Sequence, residues 1–217
     1  MAHYKLVIGN KAYSSWSLRP WLVMKHAGVA FDEVRIPLYQ DGHRARIGQY
    51  SPAGKVPVLV DGGNSIWDSL AICEYLAERH PEQRLWPADG ATRAYARSIS
   101  AEMHSGFAAL RENMSMNVRR LFPGIGMTPQ VKDDIARIEV IWNEGLRRYG
   151  GPFLCGGFSI ADAMYAPVVT RFKTYTVALS APARRYADTL LALPAMLAWY
   201  ASAHAETEVL PQYEHQH

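Results

Sequence analysis

The sequence predicts an α/β first part joined to an all-α second part, and three observations carry that reading. Strand-type patterns alternate with helix-type patterns over residues 4–79. A stretch punctuated by Pro81, Pro87 and Gly90 follows. Beyond it only the three-and-four spacing of helices persists.

Tyr4-Lys5-Leu6-Val7-Ile8 predicts the first strand, ended by the turn formers Gly9-Asn10. A helix then runs to His26 and is closed by Gly28. Ser17 or Ser15 serves as its N-cap, Pro20 sits in its first turn, and Leu18, Trp21 and Leu22 are its apolar positions. Phe31 to Ile36 reads as a second strand, whereas residues 40–54, with Gly42, Gly48, Pro52 and Gly54, read as irregular. Val56 to Val60 predicts a third strand and Ser65-Ile66-Trp67 a fourth, joined by the hairpin turn Asp61-Gly62-Gly63-Asn64. Leu70, Cys73, Leu76 and Ala77 share one face of a helix over 69–79. This order gives a small α/β domain with a mixed sheet over 1–81, a linker over 82–91 and an all-helical domain over 92–217. In the helical domain Thr92 to Leu121 reads as one long helix. Pro129 opens another, with Val131, Ile135, Ile138, Trp142, Leu146 and Tyr149 in register, and Ser159 and Pro194 open two more.

Composition narrows the function classes. With 217 residues, 49% hydrophobic and 20% charged, the chain has the makeup of an ordinary globular protein with a substantial core. A net charge of +3 is too small to imply a nucleic-acid partner, and Arg119-Arg120, Arg147-Arg148 and Arg184-Arg185 read as solvated helix surface. No apolar run is long enough to span a membrane, and no signal-peptide pattern opens the chain. Cys73 and Cys155 lie far apart, without metal-ligand or redox-pair spacing, so a reducing cytoplasm is the expected compartment. His26, His80 and His104 have no partners at ligand spacing, and no metal is expected.

The most informative stretch is Tyr13-Ser14-Ser15-Trp16-Ser17, which places three hydroxyls where a strand becomes a helix. A helix start offers unpaired N–H groups and partial positive charge, so hydroxyls there can hold an anion, a thiolate among them. The stretch contains no cysteine, so a thiol would arrive with a ligand. Three further motifs each have a bland reading beside a functional one. Pro57 either marks an edge strand or takes a cis bond that leaves Val56 free to pair with an extended ligand. Ser69 is either the N-cap of the following helix or, with Asp68, a site for a carboxylate and an ammonium. His43 and Arg44 are either solvated loop or, with Lys55, a site for a ligand carboxylate. Ser159-Ile160-Ala161-Asp162 is a structural capping box.

In this order the motifs resemble the cytosolic glutathione S-transferases over nearly the whole chain. The resemblance rests on Ser14-Ser15, on Gly54-Lys55-Val56-Pro57-Val58-Leu59, on Trp67-Asp68-Ser69 running into Ile72-Cys73-Glu74-Tyr75-Leu76, and on the stretch from Phe153 to Asp162. It is closest to the serine-type enzymes and, among them, to the zeta (maleylacetoacetate isomerase) class. The resemblance implies a thioredoxin-like N-terminal domain that binds glutathione and a helical domain that contributes an electrophile pocket. Ser14, with Ser15 a close second, would face the glutathione sulfur, joined by the Trp16 N–H. Val56, before Pro57, would pair with the cysteinyl backbone, Asp68 and Ser69 would hold the γ-glutamyl end, and Lys55 with His43 the glycyl end. Met103, Phe107 and Arg171 would line the electrophile site, Arg171 matching an arginine of the zeta acidic-substrate site. Trp16 stands where the zeta class has a cysteine, and Ala108 where it has a glutamine. Glutathione would act as co-substrate, a small electrophile as second substrate and a second copy of the chain as partner in a homodimer. A zeta-like cis-trans isomerase and a non-catalytic glutathione-binding module are the alternatives. A thiol–disulfide reductase would need a cysteine at residues 14–16.

Overall fold

A computed structural model describes residues 4–215, so the outermost ends of the expected 1–81 and 92–217 ranges lie outside the described residues. The first part contains β1 (Tyr4–Ile8), α1 (Ser15–His26), β2 (Phe31–Arg35), α2 (His43–Gly48), β3 (Val58–Asp61), β4 (Asn64–Trp67) and α3 (Ser69–Arg79). The strands form one sheet in the order β2-β1-β3-β4, with β1 and β2 parallel and the β1/β3 and β3/β4 pairs antiparallel. Alternation along β1 covers the sheet on both faces. Tyr4, Leu6 and Ile8 join Leu59 against α1 and α3, while Val7 joins Ile36, Ile47 and Val58 beneath α2. The segment expected to be irregular therefore contains a helix, α2, entered through Gly42 at φ 72°.

The second part contains α4 (Gly90–Ser105), α5 (Ala108–Asn113), α6 (Pro129–Tyr149), α7 (Ile160–Thr174), α8 (Ala181–Leu191) and α9 (Pro194–Ala205). Between the two parts lies a single 3-10 turn, Pro81–Gln83, followed by the buried side chains of Leu85 and Trp86. The helix expected to run unbroken from Thr92 to Leu121 stops at Ser105. At Gly106 an added Cβ would lie 2.8 Å from the Glu102 carbonyl oxygen, and Phe107 reverses the chain with φ 59°. The Arg111 guanidinium bonds back to the freed carbonyls of Met103 and Gly106. Residues 114–128 then follow without helix. The sequence pattern does not announce α8, because Pro182 and the Arg184-Arg185 pair mask its short apolar face of Ala183, Tyr186, Ala187 and Leu190.

One apolar cluster runs from β1, α1 and α3 into α4 and on to α9. The α1 and α7 helices pack directly across the two parts, and Arg19 on α1 donates from Nε to the Met164 carbonyl at 3.2 Å. The α7 start has the expected capping box: Asp162 accepts from the Ser159 N–H at 2.8 Å and from the Leu154 N–H at 3.0 Å. After α9 the chain crosses back over the first part. Glu206 accepts from the Lys11 and Ala12 N–H groups at 2.7 and 3.0 Å, and Arg119 donates to the carbonyls of Glu206 and Glu208.

Candidate functional site

Two cavities adjoin along the C-terminal edge of the sheet and share Trp16, Lys55 and Val56 in their walls. The larger, about 500 Å³, is lined by Ser14, Ser15, His43, Arg44 and Val56 from the first part and by Arg111, Ser115, Met116 and Arg171 from the second. The smaller, about 400 Å³, is lined by Pro57, Trp67, Asp68, Ser69 and His104. Residues far apart in sequence thus converge because α1 and α3 both begin at this edge and α7 packs on α1.

At the start of α1 the N-cap is Ser14, not Ser15 or Ser17. Its hydroxyl makes no cap bond and lies 2.7 Å from the Ser17 hydroxyl, which in turn accepts from the Gly9 N–H at 3.1 Å. Either hydroxyl of this pair can donate, and when Ser17 donates to Ser14 the Ser14 proton is free for a ligand. Ser15 accepts from Arg171 Nη2 at 3.3 Å, and because a guanidinium only donates, the Ser15 proton is directed elsewhere. Both serines are buried at the cavity floor.

Positive charge is concentrated around them. Arg171 is fully buried, bonded to the Met114 and Pro167 carbonyls, and its acidity is moved to about 10 by burial and by neighbouring Arg111. It stays charged at neutral pH. Arg19 and Arg111 face the Trp16 ring at 4.2 and 4.7 Å from its centroid. Burial lowers the Arg19 pKa strongly, and both of its terminal nitrogens lack partners. No carboxylate lies within ion-pair distance of these three guanidiniums among the described residues, so the floor of the larger cavity favours an anion.

At the other end Asp68, not Ser69, caps α3, accepting from the Leu70 and Ala71 N–H groups at 2.9 and 3.3 Å. Ser69 is 1% exposed, and its hydroxyl has no partner, an orphan donor beside the smaller cavity. The Val56–Pro57 bond is cis, and Val56 stands outside the ladder register, which starts at Val58. The third strand is therefore shorter than the expected Val56–Val60.

Two expected electrophile-site residues are elsewhere. Met103 and Phe107 are packed in the core and line neither cavity. Ser115, Met116, Arg111 and Tyr213 stand in that part of the wall. Tyr213, on the returning tail, meets Tyr39 hydroxyl to hydroxyl at 3.0 Å across the mouth. Ala108 is exposed at the start of α5 and lines neither cavity, whereas His104 does line the smaller one. Sequence spacing offered no sign of Tyr213 or His104, since both reach the site only through tertiary packing. Arg111 likewise comes to the site only through the chain reversal at Phe107.

Among the described residues no group of His, Cys, Asp and Glu is placed to hold a metal ion, and no helix is long and apolar enough to cross a membrane. Residues 13–79 match the family model of the glutathione S-transferase N-terminal domain, and residues 94–202 match that of the C-terminal domain. A probable maleylacetoacetate isomerase of Caenorhabditis elegans is 29% identical over 85% of this chain and 86% of its own. The maleylacetoacetate isomerase of Rattus norvegicus is 31% identical over 76% of each chain. A glutathione transferase homolog from Burkholderia, solved with bound glutathione, superposes with a TM-score of 0.72 at 22% identity, covering 94% of this chain and 100% of its own. With both parts matched in order and the thioredoxin-like sheet followed by a helical domain, the chain belongs to the glutathione S-transferase family.

Proposed function

We propose that the protein binds glutathione across the two cavities and holds its sulfur as thiolate for attack on a small electrophile. The observation that carries this reading is the meeting of the Ser14 and Ser15 hydroxyls, the α1 N-terminus and Arg171 on one cavity floor. In this pose the γ-glutamyl end lies at Asp68, Ser69 and the α3 start. The cysteinyl backbone runs along Val56, and the glycyl carboxylate lies toward Lys55, His43 and Arg44.

The magnitudes are adequate. A thiol with a pKa of about 8.5 is only ~3% ionised at pH 7, and lowering it by two units makes it ~75% ionised. That shift needs ~2.7 kcal/mol of preference for the anion. One hydroxyl hydrogen bond to a charged sulfur supplies about 1.5–3 kcal/mol, and the helix dipole adds about 0.3–1 kcal/mol. The chemistry therefore needs neither a general base nor a serine nucleophile.

Arg111 and Arg171 favour a second substrate that carries a carboxylate, which gives the isomerase reading its own support. Addition of the thiolate to a conjugated cis alkene makes the double bond single. Rotation and elimination then return the thiolate and leave the trans alkene. The maleylacetoacetate isomerases among the relatives agree with this chemistry. A cytoplasmic homodimer completes the reading, and sedimentation tests the dimer. The test of function is turnover of a halogenated aromatic, a hydroperoxide and a maleyl-type cis alkene, each with and without glutathione. Glutathione-dependent turnover of at least one is expected. Glutathione binding with turnover of none would favour the interaction module instead.

A further inference from the structure

His104 stands apart from the residues that the glutathione reading draws on. It lies in the last turn of α4, in the second part, yet its Nε2 is 3.1 Å from Oδ2 of Asp68 in the first. The other Asp68 oxygen, Oδ1, is taken by the Leu70 and Ala71 N–H groups, so both oxygens are anchored. Asp68 itself has φ 75° and ψ 133°, a backbone conformation that costs a non-glycine residue about 1–3 kcal/mol and is retained where the surroundings demand it. The imidazole is fixed edge-on against Trp16, with ring centroids 5.3 Å apart, and its buried Nδ1 has no partner. An Nδ1 without an acceptor and an Nε2 facing a carboxylate together define the Nε2–H form of the neutral ring.

We infer that His104 is a positioning residue for the amino end of the bound tripeptide: neutral, it aims the Asp68 carboxylate into the smaller cavity, and protonated, it takes that carboxylate into an ion pair. This rests on the glutathione reading above. An imidazolium at 3.1 Å would compete with the ligand's ammonium for Asp68 and would also repel it across the same cavity. The charged groups around the ring are Asp68 at the start of α3, Arg19 on α1, Arg111 on α5 and Lys55 on the loop before β3. Burial holds the imidazole below its ordinary value, with Arg19 and Arg111 acting the same way and Asp68 opposing them. At neutral pH the ring is therefore uncharged and the site is receptive, and acid weakens the grip. His43, at the opposite end of the ligand, has the opposite sign, since its protonation would strengthen the hold on the glycyl carboxylate.

S-methylglutathione is the suitable probe, because it keeps the ammonium and both carboxylates but has no thiol to titrate. Its Kd is measured by calorimetry for the wild type and for His104→Gln at about pH 7.5 and about pH 5.5, on either side of an ordinary imidazole pKa. The wild-type ratio of acid to neutral Kd should exceed the His104→Gln ratio about two-fold or more, because a ring held below its ordinary value is only partly protonated at the lower pH. Glutamine keeps a donor toward Asp68 but gains no charge, and the His43 contribution cancels because both proteins carry it. Equal ratios would overturn the inference. A second measurement needs no variant: linkage requires saturating S-methylglutathione to lower the titration midpoint of the His104 ring seen by NMR. An unchanged or raised midpoint would overturn the inference even if His104→Gln failed to fold. Failure of the wild type to bind at either pH would instead sink the glutathione reading itself.

Discussion

Each of the two serines in the larger cavity is polarised by a different neighbour. Ser14 belongs to a hydroxyl chain that ends on the Gly9 N–H, and Ser15 accepts from a buried guanidinium that can only donate. The serines were legible in the sequence, because a strand-to-helix junction rich in hydroxyls is visible without a structure. Arg111 was not, since only the reversal at Phe107 brings it beneath Trp16. Its role is open to a split measurement. Arg111→Gln should raise KM for a carboxylate-bearing acceptor about 10-fold or more, the worth of one charged hydrogen bond. KM for a neutral acceptor should change little. Equal increases for both acceptors would assign Arg111 to holding the carbonyls of Met103 and Gly106 alone.

Among the elements, α7 shows most directly how local chemistry fixes structure. Nearly all of its residues are buried, so its start must be satisfied internally, and Asp162 does this for the Leu154 and Ser159 N–H groups. Asp162→Ala leaves both donors buried and unpaired, at about 1–3 kcal/mol each, whereas Ser159→Ala should cost only about 1 kcal/mol. Urea unfolding measures both. Burial outweighs these donors and raises the Asp162 carboxyl to about 6. A folded-state value above the unfolded one means that its contribution is full below about pH 4 and is lost as pH rises through about 6. The wild-type margin over Asp162→Ala should therefore narrow from acid to neutral pH, and a margin that widens would contradict this. The capping box was readable because all of its parts lie within four residues. The end of α4 was not, because Gly106 inside a helical pattern looked tolerable until the Glu102 carbonyl was placed 2.8 Å from its absent Cβ.

At the scale of the molecule, neither part encloses the site alone. The first part supplies the serines, Val56 and Asp68, and the second supplies Arg111, Arg171, His104 and the returning tail with Tyr213. The shared apolar cluster and the Arg19 bond to Met164 tie the two parts together, so urea should unfold them in one transition seen alike by tryptophan fluorescence and circular dichroism. Two separated transitions would show that the parts are energetically independent. The two-part order was legible from the loss of strand grammar after residue 81. The packing that buries Met103 and brings His104 to Asp68 was not, because side-chain direction across an interface leaves no periodic trace in sequence. Above all, the proposed chemistry depends on the charge state of a sulfur that arrives with the ligand. The most direct measurement is the ultraviolet absorbance titration of glutathione bound to the wild type and to Ser14→Ala. The wild-type midpoint should lie about two pH units below that of free glutathione, and the Ser14→Ala midpoint about one to two units above the wild type. A wild-type midpoint equal to that of free glutathione would contradict the account.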